Sequence, residues 1–211
     1  LKVLNLYAGL GGNRKLWGNC EVTAVEHDEK IASIYSAQNP SDKIIIGDAH
    51  QYLLDHYQNY DFVWSSPPCQ SHSHMDLINS KNKARYPDMS LYQEILFLTH
   101  YFDGKWVVEN VNPYYKPLVS ALLLGRHLFW ANFHIGKYDV PRPGNLTNFT
   151  DVDGSEQLKE WLGIHYKGNI YYGGNHNPGQ VLANCVHPKL GKHVFDCAVG
   201  SDLFKAVDSF A

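Results

Sequence analysis

Short apolar runs alternate with helix-compatible stretches through the first half of the chain. Val3 to Tyr7, Val22 to Glu26, Lys43 to Ile46, Phe62 to Trp64 and Trp106 to Glu109 have the β-branched and aromatic density of buried strands. Between them, Lys30 to Ala37, Ala49 to His56 and Ser90 to Phe102 read as helices, and in the last Leu91, Ile95, Leu98 and Phe102 recur at helical spacing. This alternation predicts an α/β fold, a doubly wound and mostly parallel sheet covered by helices on both faces. In open sheets of that kind the ligand crevice lies beyond the carboxyl ends of the strands. Glycines, acids and prolines fall just after each apolar run, so the functional residues are expected there.

From His134 to Gly179 the texture changes to glycine, proline, asparagine and tyrosine, with one helix-like piece at Ser155 to Leu162. This predicts a main domain over 1–132, a small irregular lobe over 133–179 and helices over 180–211 that return to the main domain. A chain of 211 residues suits one substantial core carrying such a lobe. Hydrophobic residues make up 44% and charged residues 18%, which excludes disordered and fibrous classes. Apolar stretches such as Ala121 to Leu124 stop far short of the roughly 20 residues a bilayer needs, and nothing reads as a signal peptide. A cytoplasmic location with no membrane partner is the expectation. Cys20, Cys69, Cys185 and Cys197 show no paired spacing, so neither a disulfide framework nor a zinc site is indicated. His72 and His74 lack a third ligand, and no metal is expected. A formal charge of -3 does not announce a nucleic-acid partner, although Lys81, Lys83 and Arg85 form a local basic patch.

Tyr7-Ala8-Gly9-Leu10-Gly11-Gly12 follows the first strand, where its glycines let the backbone turn sharply and approach a ligand. Dinucleotide, nucleotide and adenosylmethionine sites all use such a turn, and some such turns bind nothing. Glu26, followed by His27, ends the second strand, where an acid can accept hydrogen bonds from a ribose diol. Asp48 and Ala49 follow the third, where the acid can meet an adenine amino group or simply cap the next helix. More specific is Ser65-Ser66-Pro67-Pro68-Cys69-Gln70, in which two prolines stiffen the chain past a strand and set a cysteine on a rigid loop at the crevice. Trp106 to Val111 is a strand ending in Glu109 and Asn110. A buried glutamate that holds a proton can pass it to a heterocycle's nitrogen, or it can pair with Arg14 or Arg126 and do nothing chemical. A thiolate and a proton donor together suit alkylation of cytosine at carbon 5, because thiolate addition at carbon 6 makes carbon 5 nucleophilic.

These residues resemble the cytosine-carbon-5 DNA methyltransferase family over most of the chain. Tyr7 to Gly12 is similar to that family's cofactor loop, Glu26 to its ribose acid and Asp48 to its adenine acid. Pro68-Cys69-Gln70 is similar to its nucleophile motif and Glu109-Asn110-Val111 to its general-acid motif. Gln180 to Pro188, with Asn184 and Val186, is similar to its closing helix motif, in which the asparagine packs against the cofactor site. The resemblance implies a Rossmann-like fold that binds S-adenosylmethionine, double-stranded DNA as substrate, and a cytosine flipped out of the stack. A restriction endonuclease or a second subunit becomes a candidate partner. It also implies DNA contacts from Gln70, Ser71, Lys81, Lys83, Arg85 and Asn110, and from the turn at Asn175 and His176. Three departures stand out. His127 occupies the place of the second arginine in the family's Arg-x-Arg pair, leaving Arg126 as its replacement; the lobe is short; and Ala183 replaces a glycine. RNA remains an alternative substrate. An amino-group methyltransferase, a silent DNA-binding paralogue and a nicotinamide-dependent oxidoreductase remain alternative functions.

Overall fold

The structure, a computed structural model, describes residues 1–73, 86–141, 152–171 and 177–208, and the side chains of all of these except 152, 153 and 201–208. Seven strands, β1 Lys2–Leu6, β2 Glu21–Glu26, β3 Lys43–Ile46, β4 Phe62–Ser65, β5 Lys105–Val111, β6 Leu122–Leu124 and β7 His127–Ala131, form one sheet. Its order is β3-β2-β1-β4-β5-β7-β6, with β1 to β5 parallel and β7 antiparallel to both of its neighbours. The helices are α1 Glu29–Gln38, α2 Ala49–His56, α3 Ser90–Tyr101, α4 Val152–Leu162, α5 Gln180–Ala183 and α6 Pro188–Asp208. This is the doubly wound, mostly parallel, Rossmann-like sheet that the alternating pattern predicts. Elements β3 and α2 have the predicted bounds, and the others read from the first half differ by one or two residues at an end, where helices and strands fray.

The parallel strands are buried on both faces, which is why they read as nearly continuous apolar runs. On one face Leu4, Leu6, Val63, Val108 and Trp130 meet Leu53 of α2 and Leu91, Ile95 and Leu98 of α3. On the other, Val3, Phe62, Trp64 and Phe129 meet Trp17 and, from α6, Leu190, Val194 and Phe195. Trp17 stacks on Phe195 with centroids 4.9 Å apart, so the C-terminal helix is locked onto the loop that follows β1. A third cluster joins Leu10 and Ile31 to Leu158 and Leu162 of α4 and to Val181 and Leu182 of α5. Residues 133–141 also reach the core, with Ile135 buried among α6 and sheet residues. No helix among the described residues is long and apolar enough to cross a membrane.

The strand order reverses between β1 and β4: β2 and β3 lie to one side, β5 and the β6–β7 hairpin to the other. Ligand crevices form at such a reversal. Leu6 is in register with Ser65, so the glycine loop and the proline-cysteine loop leave the sheet side by side.

Candidate active site

Both loops are held by backbone geometry that their sequences make affordable. Gly9 and Gly11 take φ of +55° and +77°, which glycine adopts freely, and Tyr7 takes +53°. An aromatic residue in that region is strained by roughly 1–3 kcal/mol and needs support. Tyr7 finds it at its hydroxyl, which donates to Glu94 Oε1 at 2.5 Å. Glu94 lies on α3, fully buried, and also accepts from Ser65 Oγ at 2.5 Å and contacts His50 Nδ1 at 3.1 Å. Burial and this carboxylate push the Tyr7 phenol up, so it stays a donor, and the Glu94 hydrogen bond raises His50. At Gly12 a Cβ would sit 2.5 Å from the Val186 carbonyl oxygen and 3.1 Å from Cys185 Cβ, so only glycine lets the closing segment 184–186 pack against the loop.

A cavity of about 470 Å³ opens over these loops, within the range of small-molecule sites, roughly 300–1,000 Å³. At one end it is lined by Tyr7 to Leu10, Gly12, Glu26, His27, Asp48 and Ala49, and at the other by Pro68, Cys69, Gln70, Glu109 and Asn110, with Asn184 to Val186 closing it. The Glu26 carboxylate accepts from the backbone N–H of Gly9 at 2.9 Å, of His27 at 2.9 Å and of Asp28 at 3.0 Å. Three of its roughly four lone-pair sites are thereby used and one remains for a ligand. Asp48 both lines the cavity and caps α2, its Oδ1 accepting from Gln51 N at 2.9 Å. The helix cap predicted from sequence is present, and the same side chain faces the cavity.

Asn110 is buried. Its amide donates to the Pro67 carbonyl at 3.0 Å and its Oδ1 accepts from Val111 N at 2.9 Å, which fixes the proline loop from behind. Cys69 is half-buried on that loop. Burial first, then the negative charge of Glu109, push its thiol up to about 11, while Arg126 pulls the other way. Beyond Cys69, Ser71 Oγ accepts from Asp88 N at 2.9 Å, and buried His72 meets the Tyr115 hydroxyl at 2.6 Å, with its pKa lowered by burial. Residue 73 and residue 86 thus bracket a segment whose two flanks are tied together. His74, Lys81, Lys83 and Arg85 fall in that segment, and Asn175 and His176 in another, all outside the described residues.

Glu109 does not pair with Arg14. That guanidinium forms a buried bidentate pair with Asp42, at 2.9 Å through both Nε and Nη2. Glu109 meets His127 instead, Oε1 to Nδ1 at 2.5 Å, and Arg126 Nε donates to His127 Nε2 at 3.2 Å. Arg126 and His127 line a second cavity of about 390 Å³ together with Tyr138, Trp161 and His187. Sequence reading missed Glu94, His50 and Cys185. Only Glu94 carried a signal, an acid three residues after Leu91 and four before Leu98 on an otherwise apolar helix face.

The family model for C-5 cytosine-specific DNA methylase matches residues 1–117, more than half of the chain. The chain belongs to that family. Within this C-5 cytosine-specific DNA methylase chain, the matched span carries the glycine loop, Glu26, Asp48, Cys69 and Glu109, whereas Arg126, His127 and the closing segment lie beyond it. A curated relative, the DNA (cytosine-5)-methyltransferase PliMCI of Paracentrotus lividus, is 25% identical over 67% of this chain. The aligned chain spans a tenth of that relative's length. Among solved structures, DNMT2 of Spodoptera frugiperda is 24% identical over 52% of this chain and 35% of its own, with a TM-score of 0.39. The methyltransferase EhMeth of Entamoeba histolytica is 17% identical over 53% of this chain and 38% of its own, with a TM-score of 0.36.

Proposed function

We propose that this chain methylates carbon 5 of cytosine in double-stranded DNA, with Cys69 as the nucleophile and S-adenosylmethionine as the methyl donor. The observation that carries the reading is that Cys69 and Glu109 face the same cavity as the glycine loop, Glu26 and Asp48. That donor set fits the cofactor: close-packed backbone at Gly12, a carboxylate with one acceptor site left at Glu26 and another acid at Asp48 suit an amino acid joined to a ribose and an adenine. When bound, the cofactor supplies an electrophilic methyl group.

The protein's own residues perform the rest. With its thiol held near 11, Cys69 rests protonated, which keeps it inert until a base is in place. Sγ gives up its proton to solvent and bonds to ring carbon 6, while Glu109, having taken up a proton from solvent, delivers it to ring nitrogen 3, so that the displaced electron pair makes carbon 5 nucleophilic. After the methyl group reaches carbon 5, water takes the carbon 5 proton, the ring double bond re-forms with expulsion of Sγ as thiolate, and nitrogen 3 returns its proton to Glu109. Asn110 holds the loop carrying Cys69 in place throughout. Residues 133–179 act as the target-recognition lobe on this reading, and a second subunit or a restriction endonuclease is the partner to look for.

The test is a covalent trap. Oligonucleotides containing 5-fluorocytosine cannot lose a carbon 5 proton, so the adduct persists and is visible by denaturing electrophoresis and mass spectrometry. DNA is expected to trap on Cys69 in a cofactor-dependent way, and Cys69→Ser is expected to abolish trapping while retaining cofactor binding. Trapping on RNA alone would reassign the substrate, and an adduct that persists in Cys69→Ser would remove the nucleophile.

A further inference from the structure

The Arg126–His127–Glu109 chain does more than bury a charge. Glu109 is in antiparallel register with Phe129, and His127 is two residues before Phe129, so the side-chain alternation of β5 and β7 puts Glu109 and His127 on one face as diagonal neighbours. Both are at least nineteen-twentieths buried. An arginine Nε always donates, so His127 Nε2, 3.2 Å away, accepts. Hydrogen positions follow from these partners. The single proton of a neutral imidazole is then on Nδ1, pointing at Glu109 Oε1 2.5 Å away.

We infer that His127, set by Arg126, is a positioning residue that confines the exchangeable proton of Glu109, a residue lining the Cys69 cavity, to Oε2, the oxygen that His127 leaves free. This inference rests on the proposed role of Glu109 as proton donor. A proton arriving on Nε2 would confront the Arg126 N–H, and one arriving on Oε1 would confront the His127 N–H. Oε2 is the remaining place. Of the other titratable groups around this chain, Tyr138, Asp139 and His187 line the second cavity beside His127, and Cys69 and Cys185 lie within electrostatic reach of Arg126 and Glu109. An arginine at position 127 would bring a fixed charge. The imidazole instead brings a one-directional donor, Nδ1–H, aimed at Oε1.

Two measurements test this. Nitrogen-15 NMR of the imidazole rings in the intact protein is expected to report His127 protonated on Nδ1 and bare on Nε2 at neutral pH, and Arg126→Leu is expected to let the Nε2-protonated tautomer appear. Methyl-transfer kinetics supply the functional arm. His127→Leu removes the donor and is expected to lower kcat about 100-fold, whereas His127→Asn, whose amide N–H falls near the Nδ1 position, is expected to stay within about 10-fold of wild type. Cofactor affinity by calorimetry is expected to be unchanged in both, which also certifies that they fold. An Nε2-protonated His127 in the wild type overturns the inference by itself, as does equal loss of kcat in the leucine and asparagine variants. A wild-type protein that forms no adduct with 5-fluorocytosine overturns the methyl-transfer reading and the catalytic half of the inference with it, and the NMR result identifies which has failed.

Discussion

Replacing Glu26 with alanine separates what that carboxylate does for the fold from what it does for a ligand. The carboxylate accepts three backbone N–H bonds, from Gly9, His27 and Asp28, all between 2.9 and 3.0 Å. Charge-assisted hydrogen bonds contribute roughly 1.5–3 kcal/mol each, and part of that returns when water reaches half-buried donors, so the expected loss of stability is about 2–4 kcal/mol. For a domain of this size that lowers Tm by roughly 5–15 °C in the absence of cofactor. Glu26→Gln is expected to be no rescue, because its amide NH₂ would face a backbone donor where the carboxylate presents a second acceptor. The remaining lone-pair site is the one assigned to the ribose, so calorimetry is expected to give cofactor binding weaker by about 10- to 100-fold. An alanine variant with unchanged Tm refutes the anchoring argument. One that melts early but binds cofactor normally refutes the ribose assignment alone.

Alkylation of Cys69 by iodoacetamide, followed by mass spectrometry of its peptide, is expected to be slow at pH 7 and to accelerate about tenfold per pH unit toward 10, because the thiolate forms only near pH 11. Glu109→Gln removes the negative charge that raises the thiol, so the same reaction at pH 8 is expected to speed up; no change would mean that the two groups do not interact. Gly12→Ala drives a methyl group to 2.5 Å from a backbone carbonyl that cannot swing aside, and about 1–3 kcal/mol of destabilisation with loss of cofactor binding is expected by thermal melting and calorimetry. Asp42→Asn breaks a buried ion pair while leaving Arg14 charged, and roughly 3–5 kcal/mol of stability is expected to be lost in denaturant titration.

Much of the frame was legible in the sequence because periodicity is a local property. Runs such as Lys43–Ile46 and Ala49–His56 carry their own strand and helix patterns, and the glycines, prolines and acids that end them marked the loops that build the cavity. What the sequence left open was which side chains meet, since that depends on strand order and register across long stretches of chain. Arg14 and Arg126 were equal candidates to pair with Glu109. The fold gives Arg14 to Asp42 at the far side of the sheet, and the antiparallel return of β7 beside β5 gives Glu109 to His127. Asn110 reads in sequence as a group facing substrate; it lines the cavity, and the parallel pairing of β4 with β5 also brings the Pro67 carbonyl within reach of its amide, a role no local pattern announced. Glu94 looks like one polar residue on an apolar helix until α3 docks over β1 and β4, where Tyr7 and Ser65 supply the hydrogen bonds that let a carboxylate be buried. The sequence alone determined the kind of fold and the ends of the strands at which the cavity opens. Only the tertiary structure decided the partners, because a hydrogen bond between residues far apart in the chain exists only once the sheet has set their distance and direction.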